Sequence, residues 1–226
     1  MAAGVRPVLF CARAALFAAL AGGVASAAPL RVDVRHGGQP VDAAVVTLTP
    51  VGRAAAGLAP IEATMDQVGS EFTPRVLAVP KGSRVRFPNS DRIRHQVYSF
   101  SPAKRFELPL YTGTPPAPVV FDSAGVVTVG CNIHDWMKGY IVVVDTPHYA
   151  VSGADGAVTL EAPAGEYLLT AWHERLPTVD AAPKLRITLP ATAPATLDLP
   201  LTAAPPPRGS DRLRALQDKF RNPPRD

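Results

Sequence analysis

The chain has 226 residues, a formal net charge of +4 at pH 7, and 25 prolines. So small a charge predicts neither nucleic acid nor an acidic membrane surface as a partner. Proline occurs at about twice its usual frequency of roughly 5%, and the prolines separate short runs of alternating or β-branched residues. This pattern is typical of an all-β protein with many turns. The length allows one large hydrophobic core or two small ones.

Residues 1–27 are predicted to be a signal peptide. Two arginines precede an apolar run over residues 14–24, and Ala25-Ser26-Ala27 is a small-residue cleavage site. The apolar run is shorter than the roughly 20 residues that a membrane-spanning helix needs. We therefore expect export to the periplasm, with no integral membrane segment after cleavage. Cys11 would leave with the signal, which makes Cys131 the single cysteine of the mature chain.

The rest of the chain contains three groups of predicted strands. The first is a hairpin with strands over residues 30–35 and 43–48 and a turn over 36–40. The second group indicates a compact sandwich or barrel, and its strands are 72–79, 83–87, 95–100, 105–108, 119–121, 126–131 and 139–144. Residues 140–144 are apolar on both faces, which predicts a central strand. The strands of the third group are 157–161, 166–172, 184–189 and 196–199.

The heptapeptide Cys131-Asn132-Ile133-His134-Asp135-Trp136-Met137 carries the strongest chemical signal. A lone cysteine in an oxidising compartment cannot form an internal disulfide. A thiolate, an imidazole and a thioether at spacings of three residues are soft ligands that suit copper. Cys131 ends a predicted strand and the next strand begins at Gly139, so His134 and Met137 are predicted to occupy a tight hairpin loop. His95, which opens another strand, is the candidate for the fourth ligand.

The segment from about Met65 to Asp145 resembles a cupredoxin. Its Cys-x2-His-x2-Met loop matches the spacing of amicyanin, and the segment is similar to exported amicyanin-like proteins, often labelled methylamine utilisation proteins. The shared phrases are residues 87–91, 95–101, 106–111 and 130–137. This resemblance implies one type 1 (blue) copper per chain, a cofactor bound by His95, Cys131 and His134 in a plane and by Met137 axially.

The same resemblance implies roles for neighbouring residues. The ring edge of His134 would be the port through which electrons enter and leave, and Trp136 would shield the metal and contribute to a docking patch. Two residues depart from the usual pattern. Gln96 stands where an asparagine commonly ties the two ligand loops together, and Ile133 stands where the loop often has proline. Bonds around ligands tune a metal site, so the reduction potential does not follow from the resemblance.

The remaining strands resemble the carboxypeptidase-regulatory-like or transthyretin-like fold. Its early Gly-x-Pro-Val-x-x-Ala turn is matched by residues 38–44, and its late Pro-Ala-Gly-x-Tyr-x-Leu motif by residues 163–169. The resulting fold class is all-β, a cupredoxin Greek-key β-sandwich plus a second Ig-like or transthyretin-like β-sandwich. Two consecutive units with a loose hairpin in front are the alternative. The predicted domains are 29–60 with 146–201 for the second sandwich, 63–145 for an inserted cupredoxin, and 202–226 for a Pro-rich linker and C-terminal tail, for which a short docking helix and a solvated tail are the alternatives.

The predicted function is one-electron transport between redox proteins such as an exported dehydrogenase or a c-type cytochrome. A multicopper enzyme needs further histidine clusters, and the chain has five histidines in all. A second site through His148 and His173 stays open, and His36 is predicted to be a solvated turn residue. The other alternative is a copper-binding cell-envelope module with an adhesive or copper-handling role. Copper handling would be signalled by exposed Met and His clusters, and the mature chain has only Met65 and Met137.

Overall fold

The computed structural model describes residues 27–115 and 117–204, so residues 1–26 of the predicted signal peptide and residues 205–226 of the predicted C-terminal tail lie outside the described residues. Within those ranges the regular structure is almost entirely β, which confirms the predicted fold class, and none of the helices is long and apolar enough to cross a membrane. A single turn of 3-10 helix covers Val179–Ala181. The strands are β1 Ala27–His36, β2 Gln39–Pro40, β3 Val45–Pro50, β4 Glu62–Thr64, β5 Asp66–Val68, β6 Glu71–Thr73, β7 Val76–Pro80, β8 Ser83–Arg86, β9 His95–Ser101, β10 Lys104–Tyr111, β11 Val119–Phe121, β12 Gly125–Cys131, β13 His134–Val144, β14 His148–Val151, β15 Ala157–Pro163, β16 Gly165–Trp172, β17 Lys184–Leu189 and β18 Ala195–Asp198.

Strands β4 to β13 form a first sandwich. A five-stranded sheet has the order β10-β9-β12-β13-β7, a three-stranded sheet has the order β11-β8-β4, and β5 pairs with β6. Apolar side chains from these sheets meet in one core that includes Phe87, Val97, Phe121 and Ile141. Strand β13 lies between β12 and β7, so the prediction of a central strand over 140–144 is confirmed.

A second sandwich is built from strands that precede and follow the first one. One sheet has the order β15-β1-β18, with β2 paired to β1, and the other has the order β14-β3-β16-β17. Leu30 pairs with Leu160, and Leu48 pairs with Leu169. All four leucines are buried in one apolar core. The chain thus leaves this sandwich after β3 and returns to it at β14.

The two sandwiches meet along β7 and β13. A small cluster of buried aliphatic side chains fills the joint: Val45, Val76, Ala78, Val142 and Val144. The rings of Tyr140 and Trp172 lie 5.4 Å apart, and the guanidinium of Arg75 is ion-paired with the carboxylate of Glu174. The two sandwiches therefore contact each other through an apolar joint and a partly buried ion pair.

Several local predictions were wrong. The predicted strand 72–79 is two strands, β6 and β7, because Pro74 lies between them and has no N–H for a ladder hydrogen bond. The ligand loop is shorter than predicted, because the turn covers only residues 132–133 and β13 already begins at His134. Met137 therefore lies in a strand. Strands β4, β5 and β14 were not predicted.

Candidate metal centre

Three neighbouring strands bring the predicted ligands to one end of the first sandwich. Cys131 is the last residue of β12 and pairs with His134, the first residue of β13, across the two-residue turn. The register of this pair shifts between Gly130 and Cys131, which is a β-bulge, and bulges re-aim side chains at sites of this kind. His95 is the first residue of β9, which lies beside β12.

The donor atoms of these three residues converge. The Sγ atom of Cys131 lies 3.9 Å from Nδ1 of His95 and 3.8 Å from Nδ1 of His134, and the three donor atoms all lie within 4.8 Å of one another. A metal with an M–S distance of about 2.3 Å and an M–N distance of about 2.0 Å, at angles of about 120°, would separate sulfur from nitrogen by about 3.7 Å. The observed spacing therefore fits one ion held by the three side chains.

The site is enclosed by the core of the sandwich. His95 is 0% exposed, Cys131 is 3% exposed and Met137 is 1% exposed. Met137 belongs to the same core cluster as Cys131. Cys131 is a free thiol. A buried thiol with two imidazoles and a nearby thioether is a soft donor set, which favours copper over the hard cations.

Asp91 holds the second ring nitrogen of His95. The Nε2–H group of His95 donates to Oδ2 of Asp91 at 2.8 Å, so Nδ1 is left as the ring's lone-pair donor. A carboxylate in this position fixes the tautomer and orientation of a ligand imidazole. Asp91 in turn accepts hydrogen bonds from the backbone N–H groups of Gly69 at 2.7 Å and Ser70 at 2.8 Å.

The Gly69-Ser70 turn is shaped to hold that carboxylate. Both residues have positive φ, 63° and 60°, and successive N–H groups in such a turn point into one concavity that binds anions. Burial by itself would raise the pKa of Asp91, but the hydrogen bonds from Ser70, Gly69 and His95 outweigh it, so the pKa lies below its usual value. Asp91 is therefore charged at neutral pH.

His134 has a different environment. It is partly exposed, and its ring centroid lies 5.1 Å from that of Trp136 and 4.9 Å from that of His95. Among the described residues, no carboxylate accepts a hydrogen bond from its ring. Burial, followed by the nearby His95, lowers the pKa of His134, while Asp91 acts in the opposite direction. The two imidazoles thus differ, because the ring of His95 is buried and hydrogen-bonded to Asp91, whereas the ring of His134 is partly exposed.

A buried polar network supports the segment that precedes His95, and sequence reasoning missed it. The Nδ2 group of Asn89 donates to the carbonyl oxygens of Ile93 at 2.9 Å and Tyr111 at 2.8 Å. Gln67 donates through Nε2 to the Tyr111 hydroxyl, which donates to the carbonyl of Phe87 at 2.6 Å. Burial is the main cause that raises the pKa of Tyr111 to about 12. Only the shared phrases over 87–91 and 106–111, which contain Asn89 and Tyr111, hinted at this network.

The residues that depart from the usual pattern have other contacts. Gln96 donates through Nε2 to Oε1 of Glu107 at 2.6 Å, so it links β9 to β10 and not to the ligand loop. Ile133 is 51% exposed and Trp136 is 39% exposed. The ring of Trp136 therefore covers one side of His134 and also faces solvent.

The other histidines are not brought to the site. Nδ1 of His148 donates to the carbonyl of Glu161 at 2.7 Å, and Nδ1 of His173 accepts the N–H of Arg175 at 3.1 Å. Nδ1 of His36 contacts the carbonyl of Leu199 at 2.8 Å, so the prediction of a solvated turn residue was wrong. In residues 27–115 and 117–204, the cluster with metal-ligand spacing is His95, Cys131 and His134.

Comparisons with known proteins reach only part of the chain. No family model and no curated protein matches it. A solved copper-containing nitrite reductase from Thermus scotoductus is 30% identical over 42% of this chain, with a TM-score of 0.35, and the match spans a quarter (25%) of that enzyme's length. A purple cupredoxin from Nitrosopumilus maritimus is 24% identical over 36% of this chain and 99% of its own, with a TM-score of 0.32. A reduced Cu(I) form of an amicyanin variant is 23% identical over 44% of this chain and 98% of its own, with a TM-score of 0.34.

Proposed function

We propose that this chain is a type 1 copper protein that carries single electrons between redox partners of the periplasm. One observation carries the proposal. A buried thiol and two imidazole Nδ1 atoms lie within 4.8 Å of one another at the end of a rigid β-sandwich. This trio, with a buried methionine in the same core, is the donor set of blue-copper electron-transfer sites.

Each residue has a chemical task in this proposal. Bound copper supplies the one-electron redox change. Cys131 offers a covalent route for the electron, His95 and His134 accept either oxidation state of the ion, and Met137 serves as the weak axial ligand. Because β9, β12 and β13 are neighbours in one sheet, ladder hydrogen bonds hold the backbone that carries the donors, and Asp91 holds the ring of His95. Little reorganisation would then oppose electron transfer.

We infer that electrons pass through the edge of His134. It is the ligand whose ring is partly exposed, while the other proposed ligands are buried. Trp136 stands beside it and would exclude water when a partner docks. The partner would be a redox protein such as an exported dehydrogenase or a c-type cytochrome, and the chain would act as a carrier and not as an enzyme.

We also propose that residues 63–145 are a cupredoxin domain inserted into a transthyretin-like sandwich formed by 29–60 and 146–201. Strand pairing supports this division, because β1 and β3 pair with β14, β15, β16 and β18 while β4 to β13 pair among themselves. The second sandwich would present the copper domain in a fixed orientation through the joint at Tyr140 and Trp172.

The visible spectrum of the copper-loaded protein tests the proposal. We expect an intense thiolate-to-copper charge-transfer band in the wild type, and we expect Cys131→Ser to abolish it. His148→Gln is the matched control, because that histidine is bonded to a backbone carbonyl away from the cluster, and it should retain the band. A wild type that shows only the weak absorption of a type 2 ion would refute the assignment.

A further inference from the structure

A buried imidazole shapes the turn that follows β16. Residues 173–176, which we call the His173 turn, come directly after Trp172, the last residue of that strand. The carbonyl of His173 accepts the N–H of Leu176 at 3.0 Å, and its Nδ1 accepts the N–H of Arg175 at 3.1 Å. The side chain of His173 is only 6% exposed. Since Nδ1 is an acceptor, the ring proton is on Nε2 and the imidazole is neutral.

Glu174 joins the His173 turn to the first sandwich. Its Oε2 atom accepts hydrogen bonds from both Nε and Nη2 of Arg75. Arg75 is the residue before β7, and its carbonyl accepts the N–H of Tyr140 on β13 at 2.8 Å. The ring of Tyr140 in turn contacts that of Trp172. One carboxylate of the turn therefore contacts the segment that connects β7 with β13.

Arg175 joins the same turn to the end of the second sandwich. Its Nε group donates to the carbonyl of Thr202 at 2.8 Å. Its carbonyl accepts the N–H of Thr202 at 2.9 Å and the hydroxyl of Thr202 at 3.0 Å. The neighbouring Leu201 is buried in the second core. The His173 turn is thus attached on one side to the joint and on the other side to the segment that follows β18.

Charged groups of both signs face His173. Burial is the largest influence and lowers the pKa of His173. The carboxylates of Glu174 and of Asp42, in the loop before β3, favour the protonated ring, while the guanidinium groups of Arg175 and Arg75 disfavour it. Because the opposite charges oppose each other, burial decides the outcome, and the closed turn holds the neutral ring.

A proton on Nδ1 would be incompatible with this arrangement. A protonated imidazole donates from both ring nitrogens, so Nδ1–H would point at the N–H of Arg175 and the hydrogen bond between them would be lost. A buried charge without a partner is costly. The protonated ring of His173 must therefore move into water or attract Glu174 away from Arg75. Either movement weakens the contact between the turn and the first sandwich.

We propose that the His173 turn is an acid-sensitive switch of the joint: the neutral ring keeps the two sandwiches in contact, and its protonation lets the joint open while each sandwich stays folded. This inference does not depend on the proposed function. In the open state the ring is in water, where its pKa is about 6.5. Protonation then stabilises the open state, so its equilibrium constant should rise about tenfold between about pH 7.5 and about pH 5.5.

Thiol labelling of the joint tests the inference. Ala78 is 8% exposed in the apolar cluster between the sandwiches, so the thiol of Ala78→Cys reacts with a methanethiosulfonate reagent only when the joint opens. The labelling rate of the full chain is divided by that of an unstructured peptide at the same pH, which corrects for thiol ionisation. Mass spectrometry of peptides separates the new cysteine from Cys131. We expect the ratio to rise about tenfold between about pH 7.5 and about pH 5.5.

The matched variant removes the titrating ring. His173→Asn keeps a side-chain oxygen that can accept the N–H of Arg175 but takes up no proton, and with Ala78→Cys the ratio should rise less than about twofold over the same pH range. Glu174→Gln breaks the ion pair and should raise the ratio at about pH 7.5 at least about threefold. Glu166→Gln, at an exposed position of β16, is its control and should leave the ratio unchanged.

A second thiol position separates opening of the joint from unfolding. Ala162 is 0% exposed in the second core, so Ala162→Cys is labelled only when that sandwich unfolds. Since local openings are more frequent than global unfolding, Ala78→Cys should be labelled at least about tenfold faster than Ala162→Cys at each pH. Val45→Cys, which places a thiol on the other side of the joint cluster, replaces Ala78→Cys if that variant does not fold.

Two results would overturn the switch. Equal labelling of Ala78→Cys and Ala162→Cys would show that the joint opens only when the second sandwich unfolds. An undiminished pH response in His173→Asn would show that another group controls the opening. Faster labelling of the joint in acid, lost in His173→Asn and exceeding that of Ala162→Cys, would support it.

Discussion

The two sandwiches bury polar side chains for different purposes. In the second sandwich, the hydroxyl of Ser152 accepts the N–H of Ala44 and donates to the carbonyl of Val41, and Thr146 donates to the carbonyl of Leu48. Both hydroxyls are hydrogen-bonded to main-chain groups. In the first sandwich, the hydroxyls of Ser83 and Ser99 also accept main-chain N–H groups, but the buried imidazole of His95 is bonded to a carboxylate side chain. A buried imidazole that is held by another side chain is a stronger sign of function than a hydroxyl that satisfies the main chain.

The two cores also differ in the groups whose burial affects the free energy of folding. The second core consists of buried aliphatic residues and Tyr167, with no thiol among them, and apolar burial stabilises a fold without any ligand. The first core also contains Cys131, and the imidazole of His95 is fully buried beside it. A buried polar group costs free energy unless it is fully bonded. The first sandwich should therefore gain more from a bound ion than the second.

The largest expected effect is the response to copper. At a free copper concentration a thousandfold above the dissociation constant, binding should stabilise the first sandwich by about 4 kcal/mol. Hydrogen exchange of amides in β9 and β12 should slow accordingly, while amides in β1 and β16 should change little. Equal protection of both sets would show that the sandwiches unfold as one unit, and no protection in either set would contradict the metal site.

A substitution in the second core should lower the stability of the protein without changing the metal site. Leu169 is 0% exposed, and Leu169→Ala should lower the free energy of unfolding by about 3 kcal/mol because it leaves a cavity. We expect the charge-transfer band of the copper-loaded variant to stay unchanged. Leu185, which is 42% exposed on β17, is the control, and Leu185→Ala should cost less than about 0.5 kcal/mol. Urea unfolding and absorption spectra measure both. Loss of the band in Leu169→Ala would mean that the second core shapes the metal site.

A smaller effect is expected at the carboxylate that holds His95. The negative charge of Asp91 stabilises Cu(II) more than Cu(I). Asp91→Asn removes that charge, so the ratio of Cu(I) to Cu(II) affinity should rise about tenfold. This change corresponds to an increase of about 59 mV in the reduction potential. Asp66→Asn is the control, because Asp66 lies in β5, in the hairpin whose Gly69-Ser70 turn binds Asp91, but contacts Ser90 and Gln67. Voltammetry measures the reduction potentials of both variants. A potential that is unchanged in Asp91→Asn, or equally raised in Asp66→Asn, would show that Asp91 has no special influence.

The smallest effect concerns the pH dependence of the second sandwich. Burial is the main cause that lowers the pKa of His173. The unfolded chain therefore binds this proton at a higher pH than the native protein does, and stability should fall as the pH drops below the unfolded value of about 6.5. His173→Asn should flatten that decline, which urea midpoints between about pH 7 and about pH 5 would measure. An identical slope in the variant would exclude His173 as the cause.

The sequence predicts that Cys131 and His134 lie together because the signal is local. Cys131, His134 and Met137 are close along the chain, and the apolar run over 140–144 marks its own strand as central. The role of Asp91 could not be predicted in this way. It depends on the N–H groups of a turn at Gly69 and Ser70, about twenty residues earlier, and only the tertiary fold brings these groups together.

Short strands were missed for a related reason. Strands β4 and β5 have three residues each, which is too few for a period of two to be recognised. The tightness of the ligand loop depends on the shifted register at Cys131, and a register shift between two strands is a property of their pairing. The spacing along the chain therefore predicts that Cys131 and His134 lie together but not the backbone conformation that carries them.

The interrupted second sandwich has a consequence for the order of folding during synthesis. Strands β1 and β3 reach their main partners only when β15 and β16 have left the ribosome, about a hundred residues later. The strands of the first sandwich all lie within residues 62–144, so it can close while the earlier strands still have open edges. The first sandwich would then be the folded unit on which the second sandwich is completed.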